Sequence, residues 1–383
     1  MSRKPGGTRN GVIVRTGHGE ERGFVLITMA LSMVALVGIL GVAVDISRMF
    51  IAKNETQAYC DSAALAATLA LDGTTVGIAA AQTAVANSTN SWNLDTAKIT
   101  NPTVTFAKTL AGPWDPNPNP ATGYIYGRVA ATVQVSMYFL PVIVNHNTQN
   151  VNASATAGQI TITTFPQGLA PYTAVSTNNT PPNFGLVVGD SYDIQWPAFN
   201  GSNFLKPPCS GDPPASVNAV TTNWGSANSG YWGATSNNII EHEIVDLNGQ
   251  TTPVSVGDNV FPVLTNGQKQ SQAGYLDERV NQDVNLADNL VGDPTTSGTY
   301  LGDLHNGRRL LPIPIVDPTD PSTSTVIGFG QFLLLSNGTS DYYKKKANGN
   351  DPFCAIYAGP YNIGSISPGS GGSTGATRVK LVQ

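Results

Sequence analysis

Charged side chains are scarce in this sequence. Aspartate, glutamate, lysine and arginine make up 12% of its 383 residues, and the net charge is −5, whereas an average soluble domain is about a quarter charged. The chain therefore has no basic field that could attract phosphate backbones, which excludes nucleic acid as a partner. It also lacks the GxxxxGK pattern of phosphate-binding loops and the cysteine and histidine spacings of structural zinc sites. We expect no cofactor and no metal.

Cysteine is nearly absent as well, with three residues in the chain. Cys60 lies in an alanine-rich stretch, where we expect a small packing residue. Cys209 and Cys354 can form a disulfide in an oxidising compartment, which would close a long loop and stabilise the fold by about 2–4 kcal/mol. The alternative is a pair of buried or unbonded thiols.

One long stretch contains no charge at all. Residues 23–44 read GFVLITMALSMVALVGILGVAV, a run of 22 residues. As an α-helix this run would be about 33 Å long, enough to cross a hydrocarbon core of about 30 Å. It exceeds the apolar part of a cleaved signal peptide, and the remaining alternative is a buried helix of a large soluble domain. We predict a transmembrane helix at 23–44.

The residues before this run predict its orientation. Residues 1–22 are polar, and we expect them to form a disordered cytoplasmic stub. Basic residues close to a membrane-spanning helix stay on the cytoplasmic side. We therefore expect a single-pass protein with a cytoplasmic N-terminus and with the bulk of the chain in the periplasm or outside the cell. The basic residues of the stub are Arg3, Lys4, Arg9, Arg15 and Arg22.

The rest of the chain predicts an α+β protein. Residues 45–71 contain neither proline nor glycine and should continue the helix beyond the membrane. Strands with alternating apolar residues follow, so we predict a pilin-like domain at 45–165, with the helix packed on an antiparallel sheet. Residues 166–383 are divided by Pro, Gly and Asn into many short strands, which is typical of a β-rich, sandwich- or barrel-like domain. We expect further helices at 75–87 and 276–291.

Polar residues at fixed offsets from the apolar run resemble a known family. Arg22-Gly23 precedes the run, Val44-Asp45 ends it, and Arg48, Gln57-Ala58 and the string DSAALA at 61–66 follow. This order resembles the N-terminal segment of the TadE/TadG-like proteins, which assemble Flp (tight-adherence, Tad) pili. Tyr59 and Ser62 stand where the family usually has alanine. The family-motif positions are Asp45, Arg48, Gln57 and Asp61.

This resemblance implies a non-enzymatic, membrane-anchored structural or assembly component of a Flp pilus or a related secretion apparatus. The implied location is the inner membrane of a bacterial cell envelope. The implied partners are membrane lipid and other pilus-assembly proteins or pilins, and the membrane helix could also self-associate. Some relatives carry a von Willebrand A module, but its Asp-x-Ser-x-Ser string is absent here, so its metal-dependent function is not carried over.

Other residues suggest two alternative functions. An aromatic group in the C-terminal half would suit an adhesion or carbohydrate-binding surface on the same anchor, and equally the core of a β domain. Gly189-Asp190-Ser191-Tyr192 resembles the GDS(L/Y) start of a lipase and esterase class, with His305 and Asp303 as partners for Ser191. That class needs a helix after its serine, which the sequence does not predict. The aromatic group is Trp196, Trp224, Trp232, Tyr192 and Tyr231.

One short string combines histidine with carboxylates, Glu241-His242-Glu243. Alternate side chains of a strand point to opposite faces of the sheet. The two glutamates and the histidine would therefore not converge on a metal, and we expect a solvent-facing strand.

The bond between Gly23 and Phe24 matches the site at which prepilin-type peptidases cut. Prepilins carry Glu at the fifth position after the cut, whereas Thr28 stands there in this chain. We therefore expect an uncleaved anchor, and intact mass spectrometry of the membrane-extracted protein should give the full-length mass. A mass that lacks residues 1–23, restored to full length by Gly23→Ala, would contradict this and indicate a pilin subunit.

Overall fold

The computed structural model describes residues 20–141, 146–195, 209, 244–260, 272–292, 297–303, 305–317, 325–336, 353–363 and 373–382. The chain groups into two compact units. The first comprises Met1–Glu55 and Val133–Val151, and the second comprises Thr56–Thr132 and Asn152–Gln383. The domain boundaries expected near residues 22, 44 and 165 stay predictions.

One helix, α1 (Glu20–Leu69), contains both the apolar run and its polar continuation. Its 50 residues correspond to about 75 Å at about 1.5 Å per residue. The helix has no proline, and it ends shortly before Gly73, whose φ of 85° is readily adopted only by glycine.

The apolar part of α1 is not buried inside the protein. Phe24, Met33 and Leu36 are 71%, 69% and 60% exposed, and only 6% of the most apolar window is covered. Among the described residues, α1 is the one helix long and apolar enough to cross a membrane. A core helix of a soluble domain would be buried on all sides. The apolar run of α1 is exposed instead, which argues against that alternative.

A short helix and antiparallel strands follow α1. Helix α2 (Thr75–Asn87) begins where the Thr74 hydroxyl accepts a hydrogen bond from the Gly77 N–H at 3.1 Å, a typical N-cap. Buried and exposed residues alternate along the predicted strand that contains Val129 and Val135. The strands are β1 (Ser91–Trp92), β2 (Ala97–Lys98), β3 (Thr103–Ala107), β4 (Tyr126–Ser136) and β5 (Thr148–Thr161).

The C-terminal half is rich in short strands, as predicted. Its elements are β6 (Thr164–Phe165), β7 (Ala174–Val175), β8 (Ser191–Gln195), β9 (Val254–Ser255), α3 (Gln272–Val280), β10 (Leu310–Val316), β11 (Val326–Leu333), β12 (Phe353–Ile363) and β13 (Ala376–Val382). Nine described strands form one mixed sheet in the order β3-β4-β5-β13-β12-β11-β10-β7, with β8 also paired to β12. The described strands form this large sheet rather than a closed barrel.

The centre of the C-terminal half is a conventional apolar core. Every residue of β10 is buried, as expected for a strand that is covered on both faces. Tyr172, Leu276, Ile313, Phe332 and Tyr357 belong to one buried cluster in this core. Burial of these apolar side chains stabilises this part of the chain.

Helix α3 lies earlier in the chain than the sequence pattern predicts. The sequence pattern predicts a helix at 276–291, whereas the helix is Gln272–Val280. Beyond Val280, the carboxylate of Asp283 accepts from the Val284 N–H, and the side-chain oxygen of Asn285 accepts from the Ala287 N–H. Such local bonds compete with the helical hydrogen-bond pattern. The apolar spacing continued past Val280, but these polar side chains end the helix.

The last described strand joins early and late parts of the chain. β13 pairs antiparallel with β5 from Thr377–Thr161 to Val382–Thr156, and its first residues pair parallel with β12. The backbone groups along this edge of β5 therefore find partners more than 200 residues later in the sequence.

Deletion of residues 376–383 should destabilise the protein strongly. It removes the ladder between β13 and β5 and exposes an unpaired strand edge, at a net cost of about 1 kcal/mol per lost hydrogen bond. We expect the thermal unfolding midpoint to fall by roughly 5–10 °C. The control is Lys380→Ala, which changes an exposed side chain and leaves the backbone ladder intact. An unchanged midpoint in the deletion variant would contradict the pairing.

Candidate functional site on helix α1

The four family-motif positions lie on α1, beyond its apolar run. Asp45 and Arg48 belong to the first compact unit, and Gln57 and Asp61 belong to the second. Asp45 and Arg48 are one turn apart, and so are Gln57 and Asp61, which places each pair on one face of the helix.

The Asp45 carboxylate binds the turn that follows β4. Its Oδ1 accepts a hydrogen bond from the Tyr138 N–H at 3.0 Å, and its Oδ2 accepts from the N–H groups of Phe139 at 2.8 Å and Leu140 at 2.6 Å. The carboxylate is completely buried. Hydrogen bonds to an ionised acceptor are stronger than neutral ones, so one side chain fixes three consecutive backbone groups against α1.

The environment of Asp45 favours its ionised form. Burial alone raises the pKa of the carboxyl, but the N–H groups of Tyr138, Leu140 and Phe139 and the nearby Arg48 together lower it below its ordinary value of 3.8. A carboxyl with a lowered pKa stabilises the folded state above its unfolded pKa. This contribution is present at neutral pH and is lost only when the pH falls through the lowered value.

Arg48 holds the same turn from the next turn of the helix. Its Nη1 donates to the backbone oxygen of Ser136 at 3.1 Å, and its guanidinium lies 4.4 Å from the centre of the Tyr138 ring. This second distance is typical of a cation–π contact. Asp45 and Arg48 together fix the end of β4 and the first residues of the turn.

A glycine in the apolar run allows the turn to approach the helix closely. A Cβ atom at Gly41 would lie 2.5 Å from Cγ of Phe139, far inside van der Waals contact. The Phe139 ring therefore occupies the space that any larger residue at 41 would need. We define residues 137–141 as the clamped turn.

In the second unit, Gln57 and Asp61 attach the helix to β5. The Gln57 amide nitrogen donates to Asp61 Oδ1 at 2.8 Å and to the Ser154 backbone oxygen at 3.1 Å. Asp61 thus orients the amide that contacts the strand. The neighbouring residues Cys60, Ala63, Ala64 and Ala67 are fully buried, which agrees with a packing role for Cys60.

Two side chains that sequence reasoning missed hold the end of α1. The Gln159 amide nitrogen donates to the backbone oxygens of Thr68 at 2.9 Å and Leu71 at 2.6 Å, and Asn362 donates to the oxygen of Leu69 at 3.3 Å. Carbonyl groups at a helix end have no partner within the helix. The sequence contains one indication of the role of Gln159. The alternation along β5 places this polar residue on the buried face of the strand, together with the alanines.

The other predicted cysteine and processing positions lie in separate places. A disulfide joins Cys209 to Cys354, with their Cα atoms 5.8 Å apart. Gly23 and Phe24 are exposed on the first turns of α1. Their role as a processing site stays a prediction.

The structure does not assemble the hydrolase constellation. Ser191 lies within strand β8 and not at a turn from a strand into a helix. His305 contacts Asp283 Oδ1 through Nδ1 at 3.0 Å and Asp288 Oδ2 through Nε2 at 2.9 Å, so neither ring nitrogen is available to Ser191. The Asp303 carboxylate instead accepts from Gly298 N–H at 2.9 Å.

His305 is part of a buried polar cluster. The Tyr300 hydroxyl donates to Asp283 at 2.6 Å, and the Tyr300 ring stacks on His305 at 4.0 Å. Burial raises the pKa of Asp283, but hydrogen bonds from Tyr300 and His305 lower it below its ordinary value. The cluster ties the chain after α3 to the segment before β10. The described part of the chain has no group of three or more His, Cys, Asp or Glu side chains arranged for a metal.

The predicted aromatic surface falls largely outside the described residues. Tyr192 is described and is a core residue, buried edge-on against Tyr357 with its hydroxyl accepting from the Val187 N–H. The positions outside the described residues are Trp196, Trp224, Tyr231, Trp232 and the string Glu241-His242-Glu243.

Comparison with known proteins confirms the resemblance for the N-terminal segment. Residues 23–85 match the Tad family model, described as Flp pilus-assembly TadE/G-like. The matched segment contains the apolar run, all four family-motif positions and most of α2. No curated protein and no solved structure gives a significant match to the chain.

Replacing Asp45 by alanine should release the clamped turn. The N–H groups of residues 138–140 would lose their acceptor, a loss of about 1–3 kcal/mol for a buried donor. We expect amide hydrogen exchange in a peptide covering this turn to accelerate roughly 10- to 100-fold. The control is Ser47→Ala, because Ser47 is exposed and its hydroxyl donates to the Ala43 backbone oxygen of its own helix. If these amides exchange equally slowly in the Asp45→Ala and Ser47→Ala variants, Asp45 does not hold the clamped turn.

Proposed function

We propose that this protein is a membrane-anchored, non-enzymatic assembly component of a Flp-type pilus or of a related secretion apparatus. The observation that carries the proposal is the position of Asp45, whose carboxylate holds the clamped turn. Asp45 lies on α1 directly after the unburied apolar run, and it belongs to the segment that matches the Tad family model.

The geometry supports an anchoring role for α1. The exposed apolar surface of residues 23–40 would be unfavourable in water. Its length of about 27 Å is close to the thickness of a bilayer core, about 30 Å. The basic residues of 1–22 favour a cytoplasmic N-terminus, with the sheet in the periplasm or beyond. The protein is then a single-pass component of the bacterial inner membrane.

The geometry also supports a structural rather than a catalytic role. The family-motif side chains form hydrogen bonds within the protein. Asp45 and Arg48 bind the turn after β4, and Gln57 binds β5. Asp61 accepts from the Gln57 amide, so all four side chains make contacts within the protein, which favours a structural role. The partners we propose are membrane lipid, other pilus-assembly proteins or pilins, and a second copy through the membrane helix.

A deletion strain tests the proposal. We expect cells without this protein to lose Flp pili from their surface, as counted by electron microscopy, and to recover them with the wild-type chain. Complementation with Ser191→Ala should restore pili fully, because a structural role does not need that hydroxyl. Normal piliation in the deletion strain would refute the assembly role, and failure of Ser191→Ala, with the protein folded and present, would favour the hydrolase.

A further inference from the structure

We infer that the clamped turn is a second membrane contact, in which Tyr138 and Phe139 insert into the interfacial layer of the bilayer that α1 spans. This inference rests on the proposed anchoring of α1. It adds a lipid-binding surface outside the spanning helix, formed by residues nearly one hundred positions further along the chain.

The position of Phe139 carries the first step. Its ring packs against Gly41, so that no side chain fits between ring and helix. Gly41 lies three residues inside the end of the apolar run at Val44, or about 4.5 Å along the helix axis. If residues 23–44 span the hydrocarbon, the ring of Phe139 is held at the depth of the membrane boundary.

The chemistry of the turn suits that depth. Tyr138 is 65% exposed and Phe139 is 43% exposed, although both are large aromatic side chains. Aromatic residues with one apolar and one polar end concentrate at the level of the lipid headgroups. Arg48 lies over the Tyr138 ring and places a positive charge beside it, which favours the neighbourhood of anionic headgroup phosphates.

The hydrogen bonding of the turn lowers the cost of placing its backbone N–H groups there. An irregular backbone near hydrocarbon is unfavourable unless its N–H groups have partners. Asp45 satisfies the N–H groups of Tyr138, Phe139 and Leu140, and the Met137 N–H donates to the Asn147 backbone oxygen at 2.9 Å. Pro141 has no N–H to satisfy. Every backbone donor of residues 137–141 is therefore paired or absent.

The occupant of this surface is membrane lipid. Val44 and Ile46, the sequence neighbours of the buried Asp45, are 47% and 43% exposed, so apolar side chains remain exposed on α1 at the level where the turn is held. A protein partner would have to cover the turn while avoiding the bilayer that borders it.

Spin-label accessibility measures the depth of the turn directly. The full-length protein is reconstituted in phosphatidylethanolamine and phosphatidylglycerol vesicles, with a nitroxide attached at Tyr138→Cys or Phe139→Cys. Power saturation then compares accessibility to oxygen, which partitions into lipid, with accessibility to a water-soluble nickel chelate. The matched control is Gln134→Cys, on the exposed face of β4 about 13 Å further along the strand. Wild-type protein carried through the same labelling gives the background from the native cysteines.

We expect the oxygen-to-nickel accessibility ratio to be severalfold higher at 138 and 139 than at 134. A label at Leu36→Cys separates the two proposals. If Leu36 is in lipid while 138 and 139 behave like 134, the membrane contact of the turn is refuted and the anchor stands. If Leu36 is also in water, the anchoring proposal itself fails. Labels at two positions ensure that the test does not depend on the folding of a single variant. Hydrogen exchange at residues 138–140 shows whether each labelled variant keeps its hydrogen bonds to Asp45.

Discussion

The first compact unit depends on one buried carboxylate. Asp45 accepts three backbone hydrogen bonds at the point where the apolar run ends. A buried charge without partners would be very costly, and three N–H groups with a nearby guanidinium compensate for that burial. The result is a chain reversal held against a helix without help from a disulfide or a metal among the described residues.

In the second unit, α1 is held by close packing and by side-chain amides rather than by a charged side chain. Small residues from Cys60 to Ala67 allow close packing, and side-chain amides supply the specific contacts. Gln57 fixes β5, while Gln159 and Asn362 take up the carbonyl groups at the helix end. Amide side chains suit this role because they donate hydrogen bonds without carrying a charge that must be neutralised. Helix α1 is therefore defined at both ends of its polar half by partners distant in sequence.

Much of this arrangement could be read from the sequence because it is periodic or local. The apolar run, the extension of α1, the alternation along β4 and β5 and helix α2 each follow from patterns within a short window. The partner of Asp45 could not be read in this way. The sequence shows that a buried carboxylate would need hydrogen-bond donors. It does not show which donors these are, because backbone N–H groups are present at every residue except proline. The end of α3 was misjudged for a related reason, because polar side chains at Asp283 and Asn285 overrode the apolar spacing.

The insertion of β13 between β5 and β12 has a consequence for biogenesis. A chain that emerges from its N-terminus presents β5 long before the segment that completes its edge has been synthesised. Until that segment is available, the edge stays open to wrong neighbours. The sheet can therefore close only after β13 has been synthesised, which makes its completion a late step of folding.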